Sequence, residues 1–153
     1  MLKFRRVIQS DLMQLYEWAN DVETRENSFN SRTITLQEHS IWFQDRLNDI
    51  NYNMLVFFEN KLPVGLVRLQ EEDEANSLIG IVIDKDHRGK GLSSKILVEA
   101  CQYFHKINPK SEIKAYIKKN NIPSFKAFEK AGFVLENEIF IDGQESYLFI
   151  KHS

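Results

Sequence analysis

The sequence predicts an α/β fold: one mixed, mostly antiparallel sheet flanked by about four helices, with residues 1–153 forming a single domain. Three observations point there. Segments with the two-residue period of strands alternate with segments of helical period. Turn signals close hairpins between neighbouring strands, which makes part of the sheet antiparallel. The chain has 153 residues, 42% of them hydrophobic, and no repeat or low-complexity stretch. That is the size of one domain, able to bury about 68–70% of its unfolded surface.

Residues 2–8 alternate roughly between apolar and polar, as a half-buried strand does. Ser10 offers a helix N-cap ahead of Leu12, Leu15, Tyr16 and Ala19, which follow at helical spacing. The polar run 20–32 reads as loop. Thr35-Leu36-Gln37-Glu38 is a capping box that opens a helix with Trp42, Phe43, Leu47 and Ile50 as its apolar residues. Residues 54–58 form a short buried strand, turned by Glu59-Asn60-Lys61 into a second strand over 64–69. Glu71-Glu72-Asp73-Glu74 reads as a solvated turn. The β-branched run 77–83 is a central strand. A long helix then carries Leu92, Ile96, Leu97, Ala100, Tyr103, Phe104 and Ile107 along one side. Residues 113–117 form a further strand, and Pro123 and Gly132 bracket a short helix. Asp142-Gly143 turns a closing hairpin between 139–141 and 147–150.

Composition excludes several classes. Lys+Arg number 20 against Asp+Glu 22, with a pI near 6.1, which argues against a dedicated nucleic-acid binder. No apolar run approaches the roughly 20 residues of a membrane span. The charges of the first six residues have no apolar stretch behind them, so they do not read as a signal peptide. Cys101 stands alone and suits a reducing cytosol. The expectation is a soluble cytoplasmic protein with neither nucleic acid nor membrane as partner. His39, His87, His105 and His152 lack ligand spacing, so no metal site is expected.

Chemistry concentrates between Gly80 and Ser94, where the central strand runs through Arg88-Gly89-Lys90-Gly91-Leu92-Ser93 into a helix. A glycine-rich turn feeding a helix N-terminus presents free N–H groups and the positive end of the helix dipole, which together make an anion site. Arg88 and Lys90 add positive charge. The run is not a P-loop: Asp84 occupies the place of the first Gly, and Gly91 follows Lys90 where Ser or Thr belongs. Nor is it a dinucleotide fingerprint, since the third Gly is missing.

Arg88-Gly89-Lys90-Gly91-Leu92-Ser93 resembles instead the acetyl-CoA pyrophosphate loop of the GCN5-related N-acetyltransferases, Q/R-x-x-G-x-G/A, with Ser93 in the last place. Asn121, Ser124, Phe128 and Gly132-Phe133 resemble that family's second motif, and the order of elements is similar along essentially the whole chain. The resemblance implies central strands that splay apart, with Ile81, Val82 and Ile83 offering backbone groups to pantetheine. It implies N–H groups from Arg88 to Ser93, Leu92 included, on the pyrophosphate, and Asn121, Ser124 and Phe128 on the far side. It also implies acetyl-CoA as cosubstrate, no metal, and direct transfer to a primary amine.

The usual proton donor of that family is a Tyr, and Phe128 stands in its place. Glu72, His39 and Tyr116 are the weak candidates left for acid or base, and no catalytic residue is assigned. The N-terminal half resembles a subgroup acting on nucleotide-linked amino sugars in pseudaminic acid synthesis. That resemblance implies Asn20, Arg25, Ser28, His39 and Trp42 as acceptor residues and a UDP-amino sugar as acceptor, with Trp18 and Arg32 available to an aromatic face and a diphosphate. The alternatives are N-terminal acetylation of a ribosomal protein or peptide, and a non-catalytic acyl-CoA-binding sensor. Pairing between subunits through 147–150 would give a homodimer.

Overall fold

The computed structural model describes residues 1–152. Seven strands form one sheet in the order β1-β2-β3-β4-β5-β7-β6. They are β1 (Leu2–Arg6), β2 (Tyr52–Glu59), β3 (Leu62–Glu71), β4 (Asn76–Ile83), β5 (Glu112–Lys118), β6 (Val134–Ile141) and β7 (Gln144–Lys151). The helices are α1 (Leu12–Ala19), α2 (Val22–Glu26), α3 (Leu36–Leu47), α4 (Leu92–Ile107) and α5 (Ile122–Lys130). Neighbouring strands are antiparallel except β4 and β5, which run parallel.

Strand alternation feeds two cores. Leu55 and Phe57 of β2, Val67 and Leu69 of β3, and Ile79 and Ile83 of β4 pack with α4 and with Phe128 of α5. Met54 and Val56 of β2 and Leu66 of β3 point the other way, onto Leu15 and Trp18 of α1 and Phe43 of α3. The sheet is therefore covered on both faces, and its middle strands are buried.

Several sequence expectations change. Five helices are present among the described residues rather than about four, because the polar run 20–32 contains α2. Its Asp21 accepts from the Thr24 N–H (3.2 Å) and caps a helix too short to show an apolar period. The N-cap of α1 is Asp11, not Ser10, which lies in a preceding 3₁₀ turn. Ile50 is past the end of α3 and exposed. Strand β6 begins at Val134, well before residue 139. It is the sheet's last strand, exposed on most of its length and bulged between Leu135 and Asn137, so alternation never marked it. Strand β7 has β5 on one side and β6 on the other, so 147–150 offers no free edge to a second subunit.

Candidate active site

β4 and β5 pair only over Asn76–Leu78 and Glu112–Lys114. Beyond Leu78 the two strands part. β4 stays bonded to β3 as far as Ile83, leaving the β5-facing backbone edge of Ile79 to Ile83 without a strand partner. Asp84 ends the strand. Its carboxylate accepts from Trp18 Nε1 (2.9 Å), from His87 Nδ1 (2.9 Å) and from the Asp86 N–H (3.2 Å), which fixes the entry to the glycine loop. Burial raises its pKa, but the bonds from Trp18 and His87 outweigh that and hold the carboxyl below its ordinary value.

Gly89 and Gly91 have φ of +75° and +74°, and neither has any atom within 4 Å of where a Cβ would sit. Only glycine adopts this loop without strain. Gly91 is the N-cap of α4, so no side chain caps the first N–H groups of that helix. They are left for a ligand, at the positive end of the dipole.

The opposite wall comes from Tyr116 and Ile117 of β5 and from Asn121, Ser124 and Phe128 at α5. Asn121 Oδ1 accepts from the Ser124 N–H (3.3 Å), which explains the spacing of that pair as a helix cap. At the other end of α5 the Gly132 N–H bonds the Glu129 carbonyl (3.1 Å) and the Phe133 N–H bonds the Phe128 carbonyl (3.0 Å). This is a Schellman motif, with Gly132 at φ +93° and the rings of Phe128 and Phe133 edge to face at 4.9 Å. The walls enclose a cleft of about 740 Å³. Ile81, Val82, Ile83, Arg88, Gly89, Gly91, Leu92, Ser93, Asn121, Ser124 and Phe128 all line it, while Lys90 is exposed and outside its lining.

The Arg88 side chain does not add free charge to the loop. Nη2 donates to Asp21 Oδ2 (2.7 Å), Nη1 to Glu23 Oε2 (2.8 Å) and Nε to the Ile83 carbonyl (3.1 Å). Burial raises the Asp21 carboxyl, and the bonds from Arg88 and Thr24 more than reverse it. Across the gap, Lys118 Nζ donates to the Glu26 carbonyl (2.8 Å) and Gln144 Nε2 to the Phe29 carbonyl (3.0 Å). The segment from α2 to Phe29 thus bridges the parted halves of the sheet.

On the acceptor side, Arg25, Ser28, His39 and Trp42 line the cleft and Asn20 does not. The Asn20 carboxamide bonds both backbone groups of Ile34 (2.7 and 2.8 Å) and holds the loop instead. Trp18 is buried and bonded to Asp84, and Arg32 pairs with Glu38. His39 is buried rather than exposed, with Nε2 2.9 Å from the Leu12 carbonyl and its ring stacked on Trp42. Burial lowers its pKa, against the pull of that carbonyl, which makes it a neutral Nε2–H donor at pH 7. Tyr116 lines the cleft and its hydroxyl has no partner among the described residues. Glu72 sits in the exposed β3–β4 turn, at the far end of β4 and outside the cleft lining.

Sequence reading missed Arg68, which projects from β3 into the cleft opposite Gly80. A single charge in an apolar strand, paired with a glycine, was the available signal. Cys101 is buried outside the cleft lining, and burial pushes its thiol up to about 12, so it offers no nucleophile. Among the described residues no group of three His, Cys, Asp or Glu is placed to hold a metal, and no helix is long and apolar enough to cross a membrane.

A splayed parallel pair beside a glycine loop at a helix N-terminus is the arrangement that the resemblance to the GCN5-related N-acetyltransferases implies. A family model described as an acetyltransferase (GNAT) domain matches residues 1–134, and the chain belongs to that family. A probable spermine N(1)-acetyltransferase from Bacillus subtilis subsp. natto is 29% identical over 84 residues, 53% of this chain and 55% of that protein. The match thus spans about half the length of that curated relative. Among solved structures, the Vibrio cholerae spermidine N-acetyltransferase with CoA and spermine superposes with a TM-score of 0.88 at 21% identity, covering 98% of this chain and 94% of that one. The aminoglycoside acetyltransferase AAC(6')-Ib with coenzyme A gives 0.84 at 18%, covering 99% and 95%. At these identities the structures show a shared fold.

Proposed function

We propose that this chain is an acetyl-CoA-dependent N-acetyltransferase that moves the acetyl group directly to the primary amine of a small molecule. The observation that carries this reading is the free backbone edge of Ile79 to Ile83 leading into the uncapped N-terminus of α4. The edge presents N–H and C=O groups to the amides of pantetheine, and the loop 88–93 presents N–H groups to the pyrophosphate. Asn121 and Ser124 contact the arm from the β5 side.

The acceptor enters from the α1–α3 face, past Trp42 and Ser28. A neutral amine attacks the thioester carbonyl, the C–N bond forms as the C–S bond breaks, the nitrogen gives up one proton to water, and the leaving thiolate takes one. Phe128 cannot supply that proton. Tyr116 takes the role in this reading, since it lines the cleft and its hydroxyl has no partner among the described residues. His39, neutral and fixed by Leu12, orients the aromatic wall that receives the acceptor.

The relatives named above are a spermine, a spermidine and an aminoglycoside acetyltransferase, all acting by name on small amines, which supports the amine acceptor. None of the three is named for a nucleotide sugar, and the UDP-amino-sugar expectation gains no support from them. The test is release of free thiol from acetyl-CoA with a panel of small amines and peptide N-termini, beside calorimetry of acetyl-CoA binding. Turnover of small amines supports the reading. Turnover of peptides alone overturns the small-molecule acceptor, and tight binding with no turnover of any amine overturns the enzyme in favour of a sensor. Tyr116→Phe should lower kcat on the order of 100-fold with acetyl-CoA affinity unchanged. An unchanged kcat removes Tyr116 from the mechanism.

A further inference from the structure

We propose that Arg68 and Arg25 form an anion-recognising subsite on the acceptor side of the cleft, so that the acceptor is a primary amine that also carries a carboxylate or phosphate group. The inference rests on the acetyltransferase reading and concerns what that reading leaves open.

Arg68 is half-buried, and its guanidinium makes no hydrogen bond or ion pair among the described residues. Its Nε is shielded from solvent and unpartnered. Its two Nη atoms have no partner among the described residues and reach the water of the cleft, so they stand open to an anion that enters it. The backbone makes room for the guanidinium. A Cβ at Gly80, the residue opposite on β4, would lie 2.7 Å from Arg68 Nη2, so any other residue there would push the guanidinium away.

Arg25 stands near enough for the two charges to act on each other, and burial together with the charges of Arg68 and Arg32 depresses its pKa. Its Nη atoms are fixed on the Asn30 carbonyl (3.1 Å) and on Ser28 Oγ (3.0 Å), while its Nε is also buried and unpartnered. Two like charges held together in a partly dry cleft repel, and an anion between them turns repulsion into attraction.

The anion is not one of CoA's. Arg68 shares the α1–α3 face of the sheet with Leu66, whereas Ile79 and Ile83 face α4. Gly80 is three residues before Ile83, about 10 Å along the strand from its end, and the phosphate loop lies beyond that end. In the acetyltransferase reading the uncharged pantetheine arm, and not the pyrophosphate, lies at that level. The cleft also lacks what a polycationic acceptor needs. Glu23 is the one carboxylate among its lining residues, and it is bonded to Arg88.

The test compares amines of similar length and opposite remote charge: 2-aminoethyl phosphate, 4-aminobutyrate and 1,4-diaminobutane. Each is assayed by thiol release and titrated calorimetrically into the protein saturated with CoA, which fills the phosphate loop. Arg68→Gln is run beside the wild type. The expected result is a KM or Kd for an anionic amine about tenfold or more below that of the diamine. Arg68→Gln should remove that advantage, leave acetyl-CoA affinity within about twofold and not lower Tm, since the native guanidinium has no partner to lose. The phosphate and carboxylate arms tell which anion is taken. Preference for the diamine, or anionic binding indifferent to Arg68→Gln, overturns the subsite while leaving the acetyltransferase reading intact. Failure to bind acetyl-CoA overturns the acetyltransferase reading, and the titration of 2-aminoethyl phosphate then judges the subsite alone.

Discussion

Arg88→Gln separates two roles for the arginine of the glycine loop. As a phosphate ligand, its loss should weaken CoA binding about tenfold or more, with a shallower salt dependence and no coupling to α2. The structure instead assigns it to a latch, with Asp21 at 2.7 Å and Glu23 at 2.8 Å. The Arg88 and Asp21 side chains are 26% and 17% exposed, whereas that of Glu23 is 53% exposed. The Asp21 pair therefore carries most of the energy. Hydrogen bonds to charged groups contribute about 1.5–3 kcal/mol when buried, and exposed pairs about 0–1 kcal/mol. For this half-dry pair we take about 1.5 kcal/mol, which lowers Tm by about 3–6 °C in a domain of this size. A double-mutant cycle of Arg88→Gln and Asp21→Asn, followed by thermal circular dichroism, measures the coupling directly. A coupling energy near zero, or a tenfold loss of CoA affinity without a change in Tm, refutes the latch.

Gly91→Asp places a carboxylate at the loop at φ +74°, and calorimetry should show CoA affinity reduced by at least about 100-fold, whereas Gly91→Ala, with strain of about 1–2 kcal/mol but no charge, should cost mainly stability. Stability should fall on acidification in two stages. His39 and His105 are held below their ordinary pKa chiefly by burial, so the unfolded chain protonates first and stability drops as pH falls below about 6.5. Asp11, Asp21 and Asp84 are depressed, so their contribution is whole above about pH 4 and lost as pH falls through their lower native values. Denaturant melts across pH 3–8 check both, and a midpoint constant from pH 7 to 5 in the wild type would contradict the histidine stage.

Some of this was legible because a local rule had a single outcome. Asp142 and Gly143 both take positive φ, as a tight hairpin turn requires. Thr35 and Glu38 bond each other's backbone as their spacing demands. Gly132-Phe133 closes α5 by the capping geometry the pair encodes. Other features depended on distant partners. Nothing in Val22–Glu26 shows that Arg88 will anchor it, and nothing in Arg88 distinguishes a phosphate from Asp21. Trp18 and Trp42 read alike as aromatic residues on helices and both line the cleft, yet only Trp18 is also buried and bonded to Asp84. Arg68 was hidden because a charge within a short apolar strand reads as its solvent face. Alternation with Leu66 puts it on the face that α1 and α3 cover, and Gly80 opposite leaves it room.

The same contrast bears on the wall that the proposed reading gives to the cofactor, which works through its backbone. Buried N–H and C=O groups must find partners, and a strand in the middle of a sheet ordinarily finds them on both sides. β4 finds them on one side only from Ile79 onward, because its pairing with β5 ends at Leu78 while β5 stays paired with β7. The fold thus leaves an unpaired edge in its own centre, and in the proposed reading the amides of pantetheine pair with it. In that reading selectivity for such an arm comes from the geometry of the parting strands, which the α2 segment bridges on one face. Side chains at Ile81, Val82 and Ile83 could change among β-branched residues with little effect on that edge. What they could not do is restore pairing with β5, since the strap from Arg88 to Lys118 and Gln144 fixes the two halves apart.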